Sequence, residues 1–323
     1  MKKIIQALKK IAKSSDFLLI SFAVFFAILM IAGAIILPKD KPVSKNKGNS
    51  VSLNSENINK DYEAMADELF AEVLPEKGFI IPIKWGDVIL KTVELGVIDL
   101  DKFTALYQSR GGLTEEQMDI LTKQVDDYIV VNNENSNFLV NIFWALGLAN
   151  KNPILAESPM ITGNNSVFNF ASTGGWTLGK DEKGGNYYNK YEIIKLTPEQ
   201  QEIAQFVADG SYRPCCGNST SFPDCNHGAA LLGIIELGAS QGLSREELFD
   251  VAVKFNSFWF PQNYLEIALY FKITENIDWE NTNKEKIMSF DFSSASGWQK
   301  NVHSVLSNLG VLPKIESGGS CGA

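Results

Sequence analysis

One short segment of this 323-residue chain gathers three of its four cysteines and one of its two histidines within thirteen residues: Cys215, Cys216, Cys225 and His227. Random scatter would not bring so many soft donor side chains together. Thiolate and imidazole are the side chains that bind soft metals and carry out thiol chemistry near neutral pH. The sequence therefore predicts that this segment is the working site of the protein.

The first hypothesis is a metal site in which these four side chains are the ligands. Four soft donors are the number that a tetrahedral zinc site or a thiophilic copper site uses. The spacing differs from the usual pair of Cys-x-x-Cys motifs, and adjacent cysteines such as Cys215 and Cys216 rarely bind one tetrahedral ion without strain. The predicted cofactor is a soft transition metal, either zinc or copper.

The second hypothesis is thiol redox chemistry. Pro223 and Asp224 resemble a helix start with Asp224 as the N-cap, which places Cys225 in the first helical turn. The positive end of the helix dipole stabilises a thiolate there, so Cys225 is the predicted reactive cysteine, with His227 beside it. Cys321 lies on a glycine-rich C-terminal tail, from which it could exchange with another thiol or transfer a metal.

The competing hypothesis is that the cysteines only stabilise the fold. Four cysteines in an extracytoplasmic domain can form two disulfides. Cys225 would pair with Cys215 or Cys216, and Cys321 would attach the tail. The protein would then be a non-catalytic envelope or surface interaction protein, and no sequence motif assigns it an enzymatic reaction.

Two charged residues are candidate accessories to the site. Arg213 precedes Cys215 by two positions, where it could orient a thiolate or an anionic substrate. Glu236 follows Cys225 by eleven positions in an otherwise nearly uncharged helix, which puts both on nearly the same face. A buried carboxylate needs a partner, and we expect Glu236 to pair with Arg213 or a lysine, or else to handle protons.

Helix start signals recur along the chain and indicate a mainly α-helical fold. Thr114, Thr197 and Ser244 each begin a capping-box pattern, and Asp99 is the predicted cap of a helix over residues 100–108. Residues 136–149 are predicted to form a core helix. Two regions depart from helical periodicity: residues 78–83 resemble a strand, and residues 158–195 resemble an irregular insertion.

The N-terminal sequence predicts where in the cell the folded domain lies. Five lysines in the first thirteen residues precede the uncharged residues 17–37, which are about 31 Å long as a helix and would span a bilayer core of about 30 Å. Basic residues favour the cytoplasmic side, so the following domain is predicted to lie outside the cell membrane. A cleaved signal peptide is the alternative.

The sequence therefore predicts a single-pass membrane protein with one helical extracytoplasmic domain. A cytoplasmic N-terminus (1–16) is followed by the signal anchor (17–37), a linker (38–58), the helical domain (59–312) and a flexible tail (313–323). The net charge of -9 and the absence of a basic stripe argue against nucleic acid as a partner.

Overall fold

The computed structural model describes residues 55–162 and 166–312, which are mainly α-helical as predicted. The α-helices of this part are α1 (Ser55–Val73), α2 (Val88–Glu94), α3 (Leu100–Gln108), α4 (Glu115–Thr122), α5 (Ser136–Ala149), α6 (Pro153–Ala156), α7 (Ala171–Gly174), α8 (Pro198–Gly210), α9 (Asn226–Ser240), α10 (Arg245–Trp259), α11 (Pro261–Tyr270), α12 (Lys284–Met288), α13 (Phe290–Ser293), α14 (Ala295–Trp298) and α15 (Ser304–Leu309). The other elements of the described residues are two strands, β1 (Phe79–Gly86) and β2 (Val125–Val131). Three 3-10 helices (Val167–Asn169, Gly184–Asn186 and Trp279–Asn281) and two π-helices (Phe271–Glu275 and Gln299–His303) accompany them in this part of the chain.

The helix starts predicted at Asp99, Thr114, Thr197 and Ser244 are confirmed. The hydroxyls of Thr114, Thr197 and Ser244 accept from the backbone N–H three residues on, and the Gln or Glu at that position returns a hydrogen bond. Asp99 accepts from the backbone N–H of Lys102 at 3.0 Å. Because an N-cap stabilises a helix by about 1 kcal/mol, local sequence suffices to start these four helices.

Helices α5 and α9 form the centre of the fold and make its most extensive helix–helix contact. Helix α9 is buried from His227 to Ala239, as its small and apolar residues predict. The two backbones touch at glycines: a Cβ on Gly147 would lie 1.9 Å from the carbonyl oxygen of Ala229, and one on Gly233 would lie 2.9 Å from the nitrogen of Gly147. This close crossing fixes the position of α9, which has Cys225 as the residue before its first turn and His227 within that turn.

We expect Gly147→Ala to lower the free energy of unfolding by about 3 kcal/mol, because the helix backbones must separate to admit the methyl group. The urea midpoint would measure the loss. Gly217→Ala is the matched control, since Gly217 is exposed and a Cβ there would meet no atom within 4 Å. Equal, small changes in both variants would contradict the close crossing.

The predicted strand is present, and it has a partner that the sequence did not reveal. β1 pairs antiparallel with β2, with Ile80 opposite Val130 and Lys84 opposite Tyr128. Ile81, Ile83 and Trp85 on the other face of β1 are buried. The two-stranded sheet thus covers one side of the helical core.

The predicted irregular insertion packs beside the cysteine segment. Between residues 158 and 195 the described residues form short helical turns and one isolated β-bridge, from Tyr191 to Asn150. The backbone N–H of Ser172 donates to the carbonyl oxygen of Asp224 at 2.9 Å, and the rings of Phe170 and Phe222 lie 5.7 Å apart. The insertion therefore supports the loop that carries the cysteines.

Several predictions fall on residues outside the described ranges. These are the basic terminus, the apolar segment 17–37, most of the linker and the tail with Cys321. In the part that is described, no helix combines the length and the apolar character needed to cross a membrane. Helix α1 begins at Ser55, so the last residues of the predicted linker are helical.

Candidate metal centre

The cysteines lie on the loop of residues 211–225 between α8 and α9, and this loop is anchored to the C-terminal helices. The backbone N–H of Tyr212 donates to the carbonyl oxygen of Met288 at 2.8 Å. The backbone N–H of Ala295 donates to the carbonyl oxygen of Cys216 at 2.9 Å. The loop is thus held against α12 and α14 on both sides of Cys215.

Arg213 organises the loop from inside. Its side chain is fully buried, and its guanidinium donates to three loop carbonyl oxygens at 3.1–3.2 Å, those of Asn218, Ser219 and Phe222. Burial lowers the pKa of Arg213, but the neighbouring cysteines outweigh that effect and raise it. The loop is therefore wrapped around a permanent positive charge.

The same guanidinium contacts one carboxylate and one cysteine. Nη2 of Arg213 donates to Oδ1 of Asp224 at 2.6 Å, and Nε donates to Sγ of Cys225 at 3.0 Å. Nδ2 of Asn218 donates to the other carboxylate oxygen of Asp224 at 3.0 Å. Arg213 thus orients the Cys225 sulfur, which is the contact that the sequence suggested for it.

Gly228 makes room for this arrangement in the first turn of α9. A Cβ on Gly228 would lie 2.5 Å from the guanidinium carbon of Arg213. The guanidinium therefore lies directly against the helix backbone. Sequence reasoning missed the parts played by Gly228, Asn218 and Asp224, because all three depend on the position of Arg213.

The predicted helix cap is wrong by one residue. Cys225, and not Asp224, is the N-cap of α9, and its Sγ accepts from the backbone N–H of Gly228 at 3.4 Å. Asp224 is instead the ion-pair partner of Arg213. The Cys225 sulfur therefore receives two N–H donors and lies at the positive end of the helix dipole.

These contacts favour a thiolate at Cys225. Its pKa lies well below the usual value, because hydrogen bonds from Cys215 and Cys216 and the charge of Arg213 stabilise the anion, while burial opposes them. Hydrogen bonds to its two cysteine neighbours raise the pKa of Cys215. The hydrogen bond with Cys215 lowers the pKa of Cys216, but the one with Cys225 and burial outweigh it and raise that pKa to about 11.

The sulfur atoms of the three cysteines lie close together. The Sγ atoms of Cys215, Cys216 and Cys225 all lie within 4.8 Å of one another. All three are free thiols, so the predicted disulfides of Cys225 with Cys215 or Cys216 are not formed. Cys215 and Cys216 thus both belong to the cluster, although they are adjacent in sequence.

The spacing fits a thiolate-bound metal ion. The Sγ atoms of Cys215 and Cys225 are 3.7 Å apart. Two thiolates bound at about 2.3 Å to one tetrahedral zinc ion lie about 3.8 Å apart. The triad can therefore accept a soft ion with little rearrangement of this pair.

His227 is not part of this group of ligand atoms. Its ring is 8% exposed and packs against the rings of Trp259 and Phe260, with centroids 5.5 and 4.7 Å away. Burial lowers its pKa to about 4. The structure thus brings together three of the four predicted metal ligands and places the imidazole in an aromatic contact.

Glu236 lies about 16 Å along α9 from Cys225, and its partner is an amide and not the expected Arg213 or lysine. Nδ2 of Asn150 donates to one carboxylate oxygen at 2.8 Å. The other oxygen has no hydrogen-bond partner among the described residues. Burial raises the pKa of Glu236 to about 8, although the Asn150 hydrogen bond acts against it.

This raised pKa predicts a pH-dependent stability. The unfolded chain ionises Glu236 near pH 4.5, so the stabilisation of the neutral acid is complete below that pH and is lost as the pH rises through about 8. We expect the free energy of unfolding to fall across this window by up to about 5 kcal/mol more in the wild type than in Glu236→Gln. Urea unfolding at a series of pH values would measure it. Parallel curves for the two proteins would contradict a buried neutral Glu236.

Comparisons of this chain with protein-family models, with curated proteins and with solved structures gave no significant match. The geometry of the site is therefore the basis for assigning a function. The fold and the site together define a mainly α-helical protein with a three-cysteine cluster at the N-terminus of its central helix.

Proposed function

We propose that this protein binds a soft transition metal ion, either zinc or copper(I), through the thiolates of Cys215, Cys216 and Cys225. The observation that supports this is the convergence of three free sulfur atoms within 4.8 Å. Soft thiolate ligands select zinc and copper(I) over harder cations. In this proposal His227, which the sequence predicted to be a fourth ligand, does not bind the metal.

The surroundings of the triad support metal binding in a second way. Arg213 and the backbone N–H of Gly228 hold the Cys225 sulfur, and the hydrogen bonds of Arg213 fix the loop that carries the other two. Outer hydrogen bonds of this kind orient metal ligands and strengthen binding. These contacts would hold the three sulfur atoms in place around an ion.

A second candidate function is thiol–disulfide exchange, which the 3.7 Å separation of Cys215 and Cys225 favours. The Cys225 thiolate would attack a disulfide of a partner molecule, forming a mixed disulfide and releasing one partner thiolate. Cys215 would then attack the Cys225 sulfur, release the second partner thiolate and give up its proton to it. The partner disulfide would be reduced, and Cys215 and Cys225 would be oxidised to a disulfide.

Paired substitutions test the proposed ligand set. We expect Cys216→Ser to weaken zinc binding by more than about 100-fold, because a ligand contributes more than the outer contacts that are worth 10–100-fold. We expect His227→Phe to keep the affinity and the 1:1 stoichiometry, since it removes both ring nitrogens and preserves an aromatic ring beside Trp259 and Phe260. Competition with a chromophoric chelator under reducing conditions would measure both.

If His227→Phe lost zinc binding, the imidazole of His227 would be one of the metal ligands. If neither variant affected zinc binding, the metal proposal would fail. A Cys215–Cys225 disulfide that forms and is reduced without any metal requirement would then favour exchange chemistry.

We further propose that the helical domain is held at the outer face of a cell membrane by residues 17–37. The support is the uncharged 21-residue segment that follows five lysines. In the same proposal Cys321 is an accessory thiol on the tail. Protease treatment of intact cells would test this, because a domain on the cytoplasmic side would be protected.

A further inference from the structure

The triad lies at the protein surface. Cys215 is exposed, and Cys216 and Cys225 are half-buried. The inner side of the cluster is closed by Arg213, which is fully buried. Solvent therefore reaches the sulfur cluster from the side of Cys215.

Two other potential ligands of the segment, Asp224 and His227, lie outside the cluster of sulfur atoms. Both carboxylate oxygens of Asp224 accept hydrogen bonds, from Arg213 at 2.6 Å and from Asn218 at 3.0 Å. The ring of His227 packs against the rings of Trp259 and Phe260. Neither residue belongs to the group of converging ligand atoms, so the described residues supply three ligands.

Three protein ligands leave one coordination position open on a tetrahedral ion. Structural zinc sites have four protein ligands, whereas sites with three keep the fourth position for an external molecule. On an ion already bound by three thiolates, a further soft sulfur donor is the favoured fourth ligand. The exposed side of the cluster leaves room for such a ligand to approach.

We propose that the metal ion bound by this triad takes a low-molecular-weight thiol as its fourth ligand while the protein keeps the ion. This inference rests on the proposed metal-binding function. In the binding step the thiol gives its proton to solvent, and its thiolate displaces a water molecule from the ion. The three bonds from Cys215, Cys216 and Cys225 remain, and no electron is transferred.

Cobalt(II) makes the fourth ligand visible, because its absorption spectrum depends on the donors around it. The purified full chain and its Cys321→Ser variant would be loaded anaerobically with cobalt(II) and titrated with 2-mercaptoethanol. Ethylene glycol, the oxygen analogue, would be the control ligand. We expect a saturable change of the thiolate-to-cobalt bands with 2-mercaptoethanol in both proteins, no change with ethylene glycol, and one protein-bound cobalt throughout.

Three results would overturn the inference while leaving the metal site in place. The first is bound cobalt whose spectrum does not respond to the thiol in either protein, because the site would then be closed. The second is a response in Cys321→Ser but not in the wild type, which would make Cys321 the fourth ligand. The third is removal of cobalt from the protein by the thiol. If the protein binds none of cobalt(II), zinc and copper(I), the proposed function itself fails, and the inference fails with it.

Discussion

Cys225→Ser is expected to lower the affinity for zinc by more than about 100-fold while the protein stays folded. The substitution removes the sulfur that lies between the other two cysteines and Arg213. Serine is among the best N-cap residues, so its hydroxyl can replace Sγ as the acceptor for the backbone N–H of Gly228. The loss of metal is therefore separable from loss of the helix.

Zinc affinity and urea unfolding of the metal-free protein would both be measured for this variant. Cys225→Ala is the matched variant, because it lacks the sulfur and also the cap. It should lose zinc in the same way and should lower the free energy of unfolding by about 1 kcal/mol more than Cys225→Ser. A Cys225→Ser protein that binds zinc as the wild type does would remove Cys225 from the site.

Arg213→Met is expected to lower the free energy of unfolding of the metal-free protein by about 3–5 kcal/mol. Arg213 is the fully buried partner of an ion pair with the half-buried Asp224, and removing it leaves that carboxylate uncompensated, which costs more than the loss of a surface contact. Here Asp224 would lose its closest donor, and the carbonyl oxygens of Asn218, Ser219 and Phe222 would lose theirs.

The control for Arg213→Met is Arg245→Met, because Arg245 is exposed and contacts the ring of Phe206. We expect that change to stay within about 0.5 kcal/mol. Arg213→Lys should behave more like Arg213→Met than like the wild type, since one ammonium cannot reach the acceptors that the guanidinium fork reaches. Equal stability of the Arg213→Met and Arg245→Met proteins would contradict the role of Arg213.

The helical part of the fold follows from local signals. Capping residues start four helices, and Pro261 separates α10 from α11 because it supplies no backbone N–H and begins the next helix at its first position. The strand β2 was missed, since Asp126 and Asp127 are exposed acids that interrupt an apolar pattern. Its strand conformation depends on pairing with β1, which is not a local property.

The site was predictable where the chemistry is local and unpredictable where it depends on packing. Cys215, Cys216 and Cys225 are close in sequence, and the structure brings their sulfur atoms together. His227 is equally close in sequence, but burial of α9 turns its ring towards Trp259 and Phe260. The hydrogen-bond partner of Glu236 is Asn150, which lies at the C-terminal end of helix α5. Helical spacing along α9 was therefore unable to identify it.

The most direct test of the metal site is elemental analysis of the purified protein together with a count of free thiols, before and after denaturation. The protein would be prepared under reducing conditions without chelator, and the reductant would be removed anaerobically before the count. We expect about one equivalent of zinc or copper, with the thiols of the triad becoming reactive only on denaturation or chelation. A metal-free protein whose three thiols react at once in the native state would contradict the metal site.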